Sequence, residues 1–160
     1  PYSGLEIAKS IKTRAERPGD LAKLERELTL RHADAVRDFL AGPGRDWAKP
    51  EVIGFHGQTV LHRPLAGLTV QVGDGPLLAS QTGIAVVHDM RANDMVHGGQ
   101  GAPLVSIFDW HLLRPGDGLN GIASGWRAEQ NSGGIGNVTA LRAGCRPDEV
   151  IAFDTGPGNR

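Results

Sequence analysis

The sequence is organised around a short apolar run that ends in a polar residue and a glycine, Val52-Ile53-Gly54-Phe55-His56-Gly57. Such a run predicts a buried β-strand over residues 52–56 that is broken at Gly57. Further apolar or alternating runs predict strands over residues 68–72, 84–87 and 149–153, the last of them ending at Asp154. The chain is therefore expected to contain at least one β-sheet.

Helical patterns separate these predicted strands. Behind a capping Asp20, apolar residues recur at steps of three and four, which predicts a long helix with one apolar stripe. The stripe consists of Leu21, Leu24, Leu28, Ala35, Val36, Phe39 and Leu40. Shorter helices are predicted over residues 76–82, with Gly83 as the stop, and over residues 102–113. Strands that alternate with helices favour an α/β fold.

Length and charge exclude several classes of protein. A chain of 160 residues is one domain of ordinary size or a piece of a larger one. Seventeen Lys and Arg residues against eighteen Asp and Glu residues give a formal charge of -1, which removes the electrostatic case for nucleic acid or an anionic membrane as main partner. No apolar run approaches the roughly 20 residues of a membrane span, and Pro1-Tyr2-Ser3-Gly4 does not read as a signal peptide.

Cysteine and glycine usage add two expectations. Cys145 is the only cysteine, which excludes an intramolecular disulfide and a CxxC metal site and fits a reducing compartment. Glycine is abundant, 23 of 160 residues, and clusters in short blocks after apolar runs. That arrangement is typical of turns that bring backbone amides close to a ligand. Gly133-Gly134 fits either an anion-binding turn or a plain hairpin turn.

Polar residues follow the predicted strands, where ligands bind in open α/β sheets. Such places are occupied by His56 with Gln58 and Thr59, by His88 with Asp89 and Arg91, by the glycine loop at Gln100, and by Asp154. Each has a plain alternative, since His56 fits a hydrogen-bonded core histidine and Arg91 with Asp94 fits a surface ion pair. The repetition at several strand ends, more than any one residue, indicates a site.

Asp154 ends an apolar strand and leads into Thr155-Gly156-Pro157-Gly158-Asn159. It fits a general base at the mouth of a cleft or a turn-initiating aspartate, with equal weight. The histidines share no spacing such as HxxxH, so a zinc site has no support, whereas magnesium carried by a nucleotide needs only one or two carboxylates and stays open.

Taken together, five blocks of this sequence resemble the anhydro-N-acetylmuramic acid kinase family. The blocks are Ile53–Thr59, Thr69–Gly73, Thr82–Arg91, Gly98–Val105 and Phe153–Asn159. They occur in the order of the family over roughly residues 20 to 160, and the last two are specific to it.

The resemblance implies an α/β fold of the actin, hexokinase and ribonuclease H-like type, in which two α/β domains close on a nucleotide. The family begins with a phosphate loop that does not precede Pro1-Tyr2 here, and it continues beyond the last block. Residues 1–125 are therefore expected to form most of a first domain and residues 126–160 the start of a second. Such an incomplete slice is expected to be inactive alone.

The resemblance also implies a reaction. The family opens the 1,6-anhydro ring of anhydro-N-acetylmuramic acid with water while ATP phosphorylates the freed 6-oxygen. The product is N-acetylmuramic acid 6-phosphate, and the setting is the cytoplasmic recycling of peptidoglycan sugars. ATP with Mg²⁺ is the implied cofactor, the sugar is the implied partner, and a homodimer is left open.

Residue roles follow from the resemblance in the same way. Asp154 corresponds to the base that activates water. The sugar side of the cleft takes His56, Gln58, Thr59, Arg91, Asp94 and Gln100, and the phosphate side takes Gly133, Gly134, Gly156 and Gly158. Arg91 is the candidate for the lactyl carboxylate or a transferring oxygen. No residue is assigned to a resident metal.

Two departures from the family keep other functions open. Asn93 stands where the family has a basic residue, and residues 126–132 are polar where the family has an apolar strand. The polar segment indicates either an exposed strand or an unreliable stretch of sequence. The alternatives are a non-catalytic sugar- or nucleotide-binding scaffold on the same fold, and another kinase or ATPase of the superfamily.

Overall fold

A computed structural model describes residues 19–114 and 124–158 of the chain. Residues 1–18, 115–123 and 159–160, and with them Asn159 of the last family block, lie outside the described residues. Contacts divide the chain into two compact units, Pro1–Gly101 and Ala102–Arg160. The chain is mixed α/β, as the alternating pattern predicts. The division into family domains after residue 125 remains a prediction.

Within residues 19–101, the first unit contains three α-helices and four strands. In chain order they are α1 (Gly19–Ala41), β1 (Val52–Phe55), β2 (Gln58–Arg63), β3 (Leu68–Val72), α2 (Gly75–Thr82), β4 (Ala85–His88) and α3 (Met90–Val96). The strands predicted over residues 52–56, 68–72 and 84–87 are confirmed to within one residue at each end. Strand β2 and helix α3 are additional elements that the apolar pattern does not predict.

Strands β1 and β4 form a parallel pair that organises the first unit. Their register sets Phe55, the last residue of β1, opposite His88, the last residue of β4. One face of the pair packs on a core of Ala33, Phe55 and Leu78, surrounded by Leu28, Ile53 and Val86. Because the strands are parallel and in register, both carboxyl ends lie at the same edge.

Helix α1 covers the whole predicted range and begins before Asp20, which lies in its first turn and is not the residue that precedes the helix. Its buried side is not the predicted apolar stripe. The buried residues are Glu25, Thr29 and Ala33, whereas Leu24 is half exposed. The polar members are buried because they bind backbone: Glu25 Oε1 accepts from the Gly73 amide at 3.0 Å, and Thr29 Oγ1 accepts from the Asp74 amide at 3.0 Å. The helix therefore holds the turn after β3, and a periodicity of apolar residues misses this role.

Helix α2 has the ends that the sequence predicts. The Asp74 side chain accepts from the Leu77 amide at 3.0 Å as the N-cap. Gly83 closes the helix in the left-handed conformation, with φ of 65°, and donates to the Ala79 carbonyl. Both ends are determined locally, since a capping aspartate and a left-handed glycine satisfy the free backbone groups of a helix.

Strands β2 and β3 form an antiparallel hairpin that returns to the end of β1. Gly57 makes the corner between β1 and β2 with φ of +69°, and a Cβ there would lie 2.6 Å from the Val72 carbonyl oxygen. The corner therefore requires glycine both for its conformation and for the close approach of β3.

We expect Gly57→Ala to lower the free energy of unfolding by about 3 kcal/mol, from left-handed strain plus steric overlap with the Val72 carbonyl. Gly67→Ala is the matched control, because Gly67 has φ of +64° and nothing lies within 4 Å of a Cβ at that position. The control should lose only about 1 kcal/mol. Urea unfolding of the three proteins measures both values, and equal losses would contradict the close approach at Gly57.

The second unit is a helix on a three-stranded antiparallel sheet. It contains α4 (Ser106–Leu113), β5 (Trp126–Ser132), β6 (Ile135–Arg142) and β7 (Ile151–Pro157), with the strand order β5-β6-β7. Two side chains of α4 bind the sheet side of the unit. Thr139 Oγ1 donates to Asp109 Oδ2 at 2.5 Å, and Trp110 Nε1 donates to the Cys145 carbonyl at 2.8 Å.

Three predicted boundaries in this unit are wrong. The helix begins at Ser106 rather than at residue 102, because the residue before a proline is restricted to extended conformations and residue 102 precedes one. Strand β7 begins at Ile151 rather than at residue 149 and continues to Pro157, so Asp154 lies inside a strand and not after one. The glycine-rich block stays extended because its backbone pairs with β6. The composition of the block alone does not predict this pairing.

The polar segment 126–132 is a strand at the edge of its sheet. Among the residues that the structure describes, β6 alone pairs with it, and most of its residues are exposed. An edge strand with an exposed face accommodates Glu129 and Gln130, which a central buried strand would not. The exposed alternative for this segment is therefore the one that the fold adopts.

None of the helices in the described part of the chain is long and apolar enough to cross a membrane.

Candidate functional site

Two of the candidate sugar-side residues, His56 and Arg91, meet beyond the carboxyl ends of β1 and β4. His56 directly follows β1, and Arg91 lies in the first turn of α3, which follows β4. Arg91 Nε donates to His56 Nε2 at 2.8 Å, across 35 residues of sequence. The expectation that polar residues after parallel strands converge is confirmed for this pair.

The hydrogen bonds of His56 define which ring nitrogen carries the proton. Arginine donates only, so His56 Nε2 must be the unprotonated nitrogen that accepts from Arg91. His56 Nδ1 lies 2.9 Å from the Gly57 carbonyl oxygen, which can only accept. The ring is therefore neutral with its proton on Nδ1, and a second proton on Nε2 would break the contact with Arg91.

The side chains of Arg91 and Asp94 both form hydrogen bonds with the main chain of Gly101. Arg91 NH1 donates to the Gly101 carbonyl at 2.7 Å, and Asp94 Oδ2 accepts from the Gly101 amide at 2.7 Å. The two side chains are three residues apart and share one side of α3. Both side chains hold the glycine loop 98–101 through the Gly101 backbone. The structure therefore gives them a role that differs from the surface ion pair considered from sequence.

The glycine loop needs its small residues to wrap around Asp94. A Cβ at Gly99 would overlap the Asp94 carboxylate, and Gly101 adopts φ of +71°. Gln100 lies between them and is exposed. The loop thus presents the Gln100 side chain to solvent while its backbone is held by α3.

Asp89, directly after β4, has an unusual backbone conformation that the sequence analysis did not predict. Asp89 has φ of +57°, and it is the one non-glycine residue with positive φ among the described residues. Its carboxylate lies 2.7 Å from His88 Nδ1. Left-handed backbone at a strand end turns the chain sharply into α3, which brings Arg91 back over the end of β1.

Gln58 and Thr59 open strand β2 rather than a loop. Gln58 is exposed, and Thr59 Oγ1 accepts from Gln71 Nε2 at 3.4 Å. Gln71, which is buried, also donates to Thr69 Oγ1 at 2.7 Å. Gln71 and Thr69 are polar neighbours of Thr59 that the sequence analysis did not identify. The pairing of β2 with β3 brings Gln71 next to Thr59, and the alternating pattern of β3 alone gives no sign of this contact.

The candidate base Asp154 lies in the second unit, in the middle of β7. Its side chain is exposed, and its register partner on β6 is Asn137. The pairing is irregular between Gly136 and Asn137, which pair with Gly156 and Asp154, so Thr155 is an extra residue on β7. A bulge of this kind re-aims neighbouring side chains.

The candidate phosphate-side glycines come together at one end of the second sheet. Gly133 and Gly134 make the turn between β5 and β6, which confirms the hairpin reading of this turn. The Gly158 amide donates to the Gly134 carbonyl at 3.1 Å, and a Cβ at Gly158 would overlap the Gly133 carbonyl. Gly156 adopts φ of +131° beside this contact.

Gly134 is exposed on the outer side of this glycine turn, and a Cβ there would meet nothing within 4 Å.

The described residues contain no cluster of metal ligands. Within residues 19–114 and 124–158, no three or more His, Cys, Asp or Glu residues are grouped so that they could hold a metal ion.

Comparison with known proteins places the chain in a family. The family model described as anhydro-N-acetylmuramic acid kinase matches residues 5–160. The chain belongs to the anhydro-N-acetylmuramic acid kinase family, as the five sequence blocks predict.

Curated relatives agree with this family at high identity. The anhydro-N-acetylmuramic acid kinase of Agrobacterium fabrum is 55% identical over 156 residues, which cover 97% of this chain and 40% of that relative. The kinases of Rhizobium etli and Brucella canis are 51% and 53% identical, again over 40% of their lengths. The chain therefore spans about two fifths of the curated relatives that it matches.

Proposed function

We propose that this chain contributes to an ATP-dependent kinase that converts 1,6-anhydro-N-acetylmuramic acid and water to N-acetylmuramic acid 6-phosphate. The relatives carry the name of this activity, and the chain matches them over nearly all of its length. The structural observation that carries the proposal is the guanidinium of Arg91, held beyond the ends of two parallel strands. A fixed guanidinium is suited to a carboxylate or phosphate oxygen.

We propose the actin and hexokinase type of fold for the complete enzyme, with this chain as part of its two domains. Family membership and the mixed α/β content support that assignment. The relatives are about two and a half times as long as the matched stretch, so the proposed activity belongs to a protein of the family's full length. This chain alone is not expected to turn over.

Asp154 is proposed to activate the water. Its exposed carboxylate is accessible to solvent, and a carboxylate base beside the anomeric carbon would take a proton as the water oxygen attacks. The bond between the anomeric carbon and the bridging 6-oxygen breaks in the same event. The electron pair left on the 6-oxygen then attacks the terminal phosphorus of ATP, the bond between that phosphorus and the bridging oxygen breaks, and ADP leaves with that oxygen.

The sugar is proposed to bind against the first unit. Gln58, Thr59 and Gln100 supply amide and hydroxyl groups for a hydroxylated ring. Arg91 supplies a cation for the lactyl carboxylate or a transferring oxygen, and His56 and Asp94 complete this side. Because Arg91 is held at two atoms, its orientation is set before substrate arrives, which reduces the entropy cost of binding.

ATP is proposed to approach the glycine turn of the second unit. Gly134 is exposed with nothing within 4 Å of a Cβ, which leaves this side of the turn accessible to a phosphate group, whereas the Gly158 amide is already engaged by the Gly134 carbonyl. Gly133 and Gly156 then shape the turn. Magnesium would enter with the nucleotide, where it neutralises phosphate charge and needs few protein carboxylates.

The proposed setting is cytoplasmic recycling of peptidoglycan sugars, where ATP is available. The proposed partners are small molecules, with neither nucleic acid nor membrane among them, and a homodimer remains an open alternative. The near-neutral charge of the chain supports the absence of a nucleic-acid partner.

The decisive assay measures ADP formation by the full-length family protein that carries this sequence. We expect ADP and sugar phosphate with the anhydro-sugar, and a rate at least about 100-fold lower with free N-acetylmuramic acid or glucose. Free N-acetylmuramic acid has no anhydro bridge to open, and glucose also lacks the lactyl and acetamido groups. Preference for a free hexose would indicate another kinase of the superfamily. Sugar binding by calorimetry without any phosphate transfer would indicate a scaffold.

A further inference from the structure

Asn137 occupies a position that none of the assigned roles explains. It lies on β6 directly opposite Asp154 of β7, at the bulge formed by Thr155. Side chains of directly opposed residues lie on the same face of a sheet with Cβ atoms about 5 Å apart. The Asn137 amide is therefore a neighbour of the proposed base.

The side-chain oxygen of Asn137 is buried and has no hydrogen-bond partner. The backbone of the residue is engaged, since its carbonyl accepts from Gln130 Nε2 at 3.2 Å. A buried acceptor without a donor is unfavourable, and in a native fold such a group calls for an explanation. The donor is missing in the state that the structure represents, and Asp154 is the residue opposite.

The reaction itself supplies the missing donor. An ionised carboxylate only accepts hydrogen bonds, whereas a carboxylic acid donates one. When Asp154 takes a proton from water, its O–H becomes a donor beside Asn137 Oδ1. The contact is then made only as the proton moves, so it favours the transition state over the ground state.

The strand that carries Asn137 is held firmly on the same face. Thr139, two residues further along β6, donates to buried Asp109 of α4 at 2.5 Å. The charged groups on this face are Asp109 from the helix and Arg127 and Glu129 from β5, opposite Leu141 and Thr139. Arg127 NH1 donates to the Leu113 carbonyl.

We propose that Asn137 is a positioning residue for Asp154, with Oδ1 accepting a hydrogen bond from the Asp154 carboxylic acid after the base has taken the proton of water. The proposal rests on the proposed function of Asp154. In this step, the water O–H bond breaks, an Asp154 O–H bond forms, and the water oxygen bonds the anomeric carbon as the 6-oxygen leaves.

The first test is Asn137→Asp, which keeps the size of the side chain and adds a like charge beside Asp154. Protonated Asp154 should then persist to higher pH, and its carboxyl titration followed by ¹³C NMR should move up by about one pH unit. Asn131→Asp is the matched control, because Asn131 faces Asn137 from β5 and is one strand further from Asp154. The control should move the midpoint by less than about half as much.

The second test is Asn137→Ala, which removes the acceptor without adding charge. We expect the Asp154 titration to move down by about half a pH unit, because the protonated form loses its partner. In the full-length kinase, kcat should fall about 30-fold with little change in KM, which corresponds to one lost hydrogen bond in the transition state.

The outcomes separate this inference from the proposed function. Titration shifts of opposite sign in the two Asn137 variants support the Asn137–Asp154 pair whether or not the sugar is phosphorylated. An unchanged Asp154 midpoint in both variants, with native circular dichroism, overturns the pair even if the wild type is an active kinase. A wild type without phosphorylation overturns the proposed function alone.

Discussion

Asp154→Asn is expected to lower the kcat of the full-length kinase by about 1,000-fold or more, within the range that a general base contributes. Asparagine has the size and hydrogen-bonding reach of aspartate but takes no proton from water at neutral pH. Because ring opening waits for that proton transfer, phosphate transfer to the 6-oxygen should stop with it. KM for the anhydro-sugar should change little, and steady-state ADP release measures both parameters.

Asp148→Asn is the matched control for this substitution. Asp148 is exposed in the same unit, and its carboxylate pairs with Arg146 at the surface at 2.9 Å. Loss of one exposed ion pair changes stability by less than about 1 kcal/mol, so activity should remain within about twofold of the wild type. Wild-type turnover in Asp154→Asn would remove Asp154 from the role of base and leave its position in β7 as a structural one.

Arg91→Lys is expected to have the second largest effect. Lysine keeps the positive charge, but a single ammonium group does not span both His56 Nε2 and the Gly101 carbonyl as the guanidinium fork does. The glycine loop that carries Gln100 would lose its anchor. We expect kcat/KM for the anhydro-sugar to fall about 100-fold, mainly through KM, since each lost charge-assisted bond is worth about 1.5–3 kcal/mol.

Arg45→Lys provides the control for the chemistry of the substitution. Arg45 is exposed, and its side chain contacts the neighbouring Asp46 at 3.4 Å. Its replacement should leave kcat/KM and the unfolding midpoint unchanged within error. If Arg91→Lys instead retained wild-type KM, the charge alone would suffice, and the fixed orientation of Arg91 would have no part in binding.

Local chemistry explains which parts of the fold were predictable. The strand over residues 52–56 and the ends of helix α2 depend on neighbours within a few residues, such as Asp74 and Gly83. The long helix over residues 19–41 was predicted for the same reason, although its buried side was not. Glu25 and Thr29 are buried because they bind the backbone of a turn almost fifty residues away.

The sequence predicted candidate residues for a site, but it did not predict how these residues contact one another. Polar residues after apolar strands pointed to His56 and Arg91, and the parallel register of β1 and β4 brought these two together. The hydrogen-bond partners of the candidate residues were not predicted, since the sequence does not show that Arg91 and Asp94 both bind the Gly101 backbone. Asn137 was missed because nothing in its neighbourhood along the chain marks it.

Apolar periodicity, turn chemistry and five ordered blocks were enough to predict the α/β class, the family and the candidate residues. The fold was needed to show which nitrogen of His56 is protonated, that β7 runs through Asp154, and that Asn137 lies opposite it. These contacts join residues that are distant in sequence, and the pairing register of the strands brings them together. No local pattern encodes that register.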